Sequence, residues 1–128
     1  MTIISTFLVA VVAVEHLYIL VLEMFLWTSP RSLDAFGTTL ELAEQTTAIA
    51  ANQGLYNGFL AAGLIWGLVH PNARFGFQLK LFFLLCVIAA ATFGALSVKP
   101  SIFIVQGVPA LLALASLFLA NATGRRSQ

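Results

Sequence analysis

The stretch from Ile3 to Trp27, IISTFLVAVVAVEHLYILVLEMFLW, is apolar apart from Ser5, Thr6, Glu15, His16, Tyr18 and Glu23. A helix rising 1.5 Å per residue crosses a hydrocarbon layer of about 30 Å with roughly 20 mostly apolar residues, so this stretch reads as a membrane span. It lacks a basic leader region and a small-residue cleavage site, which makes it a retained span rather than a signal peptide.

Working outward, residues 47–69, 77–97 and 101–121 have comparable length and hydropathy and read as three further spans. Ser29-Pro30-Arg31, His70-Pro71-Asn72 and Lys99-Pro100-Ser101 separate them. Proline lacks an amide donor and disfavours helix at the residue before it, so each is a break. The expected architecture is all-α: one domain over residues 1–128, a membrane-embedded four-helix bundle with spans at about 3–27, 47–69, 77–97 and 101–121. The tail from Gly124 is polar and expected to fray.

The loop after the first span has structure of its own. Thr38 followed by Glu41 resembles a capping box, and Leu40, Ala43, Thr47 and Ala51 continue at helical spacing, so the second helix is expected to begin ahead of its span. Asp34, Glu41 and Glu44 make this the acidic end of the molecule, read as a solvated helix face.

Composition agrees with a chain made for the bilayer. Of 128 residues 60% are hydrophobic and 9% charged, and the mean hydropathy is +0.98. A net charge of +1, with Lys and Arg scattered, gives no footprint for nucleic acid. Cys86 is the single cysteine, which excludes an intramolecular disulfide and a thiolate zinc site, and it reads as a small buried hydrophobe. No motif implies a cofactor. Arg74, Lys80, Arg125 and Arg126 fall on one side with the N-terminus and only Arg31 and Lys99 on the other. The first side is therefore expected to be cytoplasmic, giving a multi-pass protein of the cell membrane with both termini inside.

An ionisable side chain at mid-membrane costs at least ~2.5 to 3.5 kcal/mol, so Glu15, His16 and Glu23 call for partners or a cavity. At about 100° per residue, Val12, His16, Ile19, Leu20, Glu23 and Trp27 fall on one face, with Glu15 beside it. The second span adds Asn52, Gln53, Tyr56 and Asn57, and the fourth adds Gln106, three residues before Pro109. Aligned by depth, Glu23 is expected to lie level with Asn52 and Gln106, and Glu15 and His16 level with Asn57. The sequence thus predicts an outward-facing polar pocket between the first, second and fourth spans, closed toward the cytoplasm. Asn, Gln and Tyr also serve as plain interhelical hydrogen-bond glue, worth about 0.6 kcal/mol each. The three ionisable residues could equally form a structural network.

Gly54 and Gly58, and again Gly63 and Gly67, repeat at four-residue spacing, which lets another helix approach closely, either within the chain or in a homo-oligomer. Trp66, Phe75, Phe77 and Phe36 fit interfacial belts, while Trp27 also continues the Glu23 face.

The segments Glu15-His16-Leu17-Tyr18, Leu22-Glu23-Met24-Phe25-Leu26-Trp27 and Ala51-Asn52-Gln53-Gly54-Leu55-Tyr56-Asn57-Gly58-Phe59-Leu60 resemble the DUF1304 family of small integral membrane proteins. The resemblance implies a four-span membrane protein and carries no activity.

Two functions fit these residues. One is binding or transport of a small amphipathic or lipid-like molecule from the surrounding membrane lipid, with Glu15 as a proton-exchanging carboxylate. The other is a membrane enzyme of isomerase or hydrolase type, with Glu23 and His16 trading a proton while Asn52, Asn57 and Tyr56 orient a lipophilic substrate and Trp27 stabilises positive charge. A metal site is not expected: His16 and Glu23 are about 10 Å apart along the helix axis and no paired-ligand motif occurs.

Overall fold

The computed structural model describes the backbone of residues 2–126, and it is all-α. Helix α1 spans Ile3–Met24, α2 Pro30–Phe36, α3 Leu40–Gln45, α4 Thr47–Val69, α5 Ala73–Ser97 and α6 Val108–Arg126, with a π-helical segment, Phe103–Gly107, leading into α6. The helix of α6 continues through Gly124, where fraying was expected. The side chains of Arg125 and Arg126, on which the expected orientation partly rests, lie outside the described residues.

Local chemistry sets these boundaries. The hydroxyls of Thr2, Ser29 and Thr39 accept from the amides of Ser5, Ser32 and Leu42, and the Asn72 side chain accepts from Arg74 and Phe75, so four helices begin on a side-chain cap. Thr39 caps α3 where Thr38 was expected. The early start of the second helix is real but is broken by one residue, since Thr46 alone separates α3 from α4. The first helix stops at Met24, so Trp27 belongs to the turn that follows rather than to the α1 face. Pro109 has no amide to offer the turn before it, and the Val108 amide bonds Phe103 O in the wider π register.

Among the described residues three helices are long and apolar enough to cross a membrane: Ile3–Met24, Ala73–Ser97 and Phe103–Thr123. At 23 residues α4 has the length, but Asn52, Gln53, Tyr56 and Asn57 lower its hydropathy. It nevertheless packs along its neighbours, with α1 lying against α4 and α6, and α5 against α4 and α6.

Glycines set the separations. A Cβ on Gly54 would lie 2.9 Å from Glu23 Cβ and 3.2 Å from Leu20 O, and one on Gly58 would strike Leu20 Cδ1, so this pair is consumed by α1. Gly63 receives the Phe83 ring, and Gly67 lies against Lys80 and Gly76, so the second pair is consumed by α5. Both small-residue faces are covered within the chain, and an oligomer would need another surface.

Beneath these contacts Val9, Val12, Leu64, Leu84, Val87, Ala110 and Ala113, all fully buried, with Ala13 and Leu117 nearly so, fill the half of the molecule that holds the start of α1. This is the sealed end. At the other end α2 and α3 form a roof. Ser32 Oγ donates to Leu22 O at 3.3 Å, and Trp27 Nε1 donates to Thr46 Oγ1 at 3.2 Å while its ring tilts onto Phe36 at 5.0 Å. Outside it, Arg31 Nε donates to the Tyr18 hydroxyl at 2.7 Å, which raises the guanidinium pKa further. Asp34, Glu41 and Glu44 are exposed, as a solvated face requires.

Gly37 ends α2 at φ 62, ψ 38, and a Cβ there would make only ordinary contact with Lys99. Gly37→Ala is therefore expected to cost about 1–2 kcal/mol, all of it backbone strain, read as a lower thermal unfolding midpoint in detergent.

Candidate binding cavity

Below the roof lies a cavity of about 700 Å³, within the range of small-molecule sites. From α4 it receives Ile49, Ala50, Gln53, Tyr56, Asn57, Phe59 and Leu60, a stripe at helical spacing, with Thr46 just ahead of them. From α5 it receives Cys86, Ala90 and Gly94, and from the cap that ends it Val98, each four residues from the last, a wall about 18 Å long at 1.5 Å per residue. The contribution of α1 is Ile19 and Glu23, and that of the segment before α6 is Ile102 and Gln106. Trp27, Phe36, Gly37, Thr38 and Leu42 close it from the roof.

Its polar centre is Glu23, 2% exposed, whose Oε2 accepts from Asn57 Nδ2 at 2.8 Å. Among the described residues its other oxygen, Oε1, has no hydrogen-bond partner, and it is not among the atoms cut off from solvent. Asn57 also donates to Gln53 O at 3.3 Å, which fixes its amide across the helix interface. Asn57→Leu would leave the Glu23 carboxylate with no donor. We expect a loss of about 1–3 kcal/mol, measured as a drop in the unfolding midpoint, and recovery on adding Glu23→Leu, which removes the stranded acceptor.

Six of the nine residues singled out from sequence line this cavity: Glu23, Trp27, Gln53, Tyr56, Asn57 and Gln106. Asn52 does not. It is exposed, because it sits two residues from Gly54, about 200° around α4 from the face pressed on α1. The partner of Glu23 is therefore Asn57, where the depth alignment expected Asn52. Glu15 and His16 do not line the cavity either. His16 is fully buried, and its Nδ1 lies 2.9 Å from Val12 O, so Nδ1 carries the proton as donor and Nε2 is a buried acceptor without a partner. Both carboxylate oxygens of Glu15 are likewise buried without a hydrogen bond. His16 is not bonded to Glu23. Among the described residues no group of three or more His, Cys, Asp or Glu could hold a metal ion.

Sequence reasoning missed the roof and one wall. Phe36 reads from sequence as an interfacial belt residue, yet it closes the cavity against Trp27, and Cys86, read as a core filler, lines its deep end. Its spacing with Ala90, Gly94 and Val98, all small or β-branched, was the available signal.

The sequence profile described as "Protein of unknown function (DUF1304)" matches residues 10–118, which takes in most of α1, the roof, the cavity and most of α6. The chain belongs to the DUF1304 family. Within known proteins it is 33% identical over 120 residues to "Uncharacterized protein YpaA" of Lactococcus lactis subsp. lactis (strain IL1403), an alignment covering 92% of this chain and 99% of that one. No solved structure matches. The family match covers every cavity residue named above.

Proposed function

We propose that this DUF1304 member is a four-span membrane protein of the cell membrane that binds a small amphipathic or lipid-like molecule in the cavity beneath its roof. The observation that carries this reading is a largely apolar cavity with a single buried carboxylate at its polar centre, sealed on one side by a fully packed core. Such a combination of apolar walls and a few convergent polar groups is what amphiphile sites require.

Membership of α4 in the membrane layer is supported by its length and by its packing between α1 and α5, both long enough to span. Its polar residues then need cover from lipid, and Gln53 and Asn57 find it on the cavity side. Arg74 and Lys80 lie at the sealed end and Arg31 and Lys99 at the roofed end, so with Arg125 and Arg126 the sealed end and both termini face the cytoplasm. The cavity then belongs to the outer leaflet. Acid–base catalysis by Glu23 and His16 loses its support, because the two are not bonded and His16 lies off the cavity.

Trp27 lines the cavity and Trp66, 57% exposed, does not. In a Trp66→Phe protein reconstituted in phosphatidylcholine vesicles, Trp27 becomes the sole tryptophan reporter. A brominated single-chain amphiphile should quench it saturably, with competition by the unbrominated compound. Quenching that rises linearly and resists competition would overturn the reading.

A further inference from the structure

The cavity has a side as well as a roof. The close approaches of α4 and α5 fall at Gly63 with Phe83 and at Gly67 with Lys80 and Gly76, all toward the sealed end. Nearer the roof the same two helices contribute Tyr56 and Ala90, which line the cavity and are both exposed. The two helices thus part around the cavity, and a small side chain, Ala90, stands where they part. A solute leaving the bilayer through this gap would pass Tyr56 and apolar walls before meeting a carboxylate. The atom it meets there is Glu23 Oε1, the carboxylate oxygen left without a partner when Asn57 takes Oε2. The other polar side chains of the lining, among them Gln53, Tyr56, Asn57, Gln106, Thr38 and Thr46, carry no carboxylate or cation.

We infer that the occupant is a single-chain amphiphile with a cationic amine head, which enters sideways from the bilayer between α4 and α5 and sets its ammonium against Glu23. The inference rests on the binding function proposed above and adds the chemical class and the route. A carboxylate with one free oxygen inside an apolar cavity selects a donor of opposite charge and rejects an anionic head, because burying two like charges together is the costlier arrangement. A chain lying along the wall from Val98 to Cys86 would keep its head at the level of Glu23 and its tail among small side chains.

The test uses the Trp66→Phe reporter with hexadecylamine, hexadecanol and hexadecanoic acid as competitors of the brominated quencher, at a pH where the amine is charged. The expected order is amine over alcohol over acid, with the amine ahead of the alcohol by about tenfold or more. Glu23→Gln should bring amine and alcohol to within about twofold while leaving saturable quenching in place. Ala90→Phe, which adds bulk where the helices part and leaves Trp27 the sole tryptophan, should slow or abolish quenching by all three chains. Equal competition by the three heads, or preference for the acid, would overturn the class while leaving the binding site standing. Undiminished quenching in Ala90→Phe would overturn the lateral route. Absence of saturable quenching in the reporter itself would remove the binding reading on which both depend.

Discussion

Gly67→Leu is expected to prevent recovery of folded protein, and Gly67→Ala to lower stability by more than about 3 kcal/mol, above the usual range for an overpacked site. The reason lies in what a Cβ would meet: Lys80 N at 3.0 Å and Gly76 O at 3.2 Å, atoms of the α5 backbone that move only if the helices separate. Gly63→Ala provides the contrast. There the obstacle is the Phe83 ring, the end of a side chain that can rotate, and the cost should stay within about 1–3 kcal/mol. Denaturant or thermal unfolding in detergent, with chromatographic monitoring of the folded fraction, reads all three. A milder effect at Gly67 than at Gly63 would mean that α4 and α5 do not meet there by their backbones.

His16→Ala is expected to cost about 2–4 kcal/mol, whereas His16→Leu should cost less than about 1 kcal/mol or even stabilise. Truncation opens a void in a fully buried position and forfeits its packing. Leucine refills most of that space and removes Nε2, a buried acceptor with no donor. Little is lost at the other nitrogen, because the Val12 carbonyl it touches already receives the His16 amide within α1. Binding of the brominated amphiphile should survive His16→Leu, since the ring does not line the cavity. Loss of binding at unchanged stability would return His16 to the site.

Much of this was legible from residues alone. The all-α class followed from apolar runs cut by Pro30, Pro71 and Pro100, and three of the four expected spans are helices long and apolar enough to cross a membrane, while Glu23, Gln53, Asn57 and Gln106, picked out as polar residues in apolar runs, do converge on one cavity. Register was not legible. Depth counting placed Glu23 beside Asn52, but helices settle where backbones can approach, and Gly54 brings α4 onto α1 at Leu20 and Glu23, turning Asn52 outward and Asn57 inward. Helical phase also failed beyond Met24, because periodicity holds only while the helix does, and Trp27 reaches the cavity from a turn. The roof depended on contacts between Trp27, Phe36 and Thr46, residues up to 19 apart, which no local pattern encodes.

Placing a photoreactive benzophenone amino acid at Tyr56, which lines the cavity, and separately at Phe93, 73% exposed and outside it, tests the central claim most directly. After irradiation in native membranes, mass spectrometry of the adducts compares what each position touches. The account predicts an amine-headed amphiphile enriched at Tyr56 over Phe93, with the enrichment lost in Glu23→Gln. The same bulk-lipid profile at both positions, unchanged by Glu23→Gln, would contradict it.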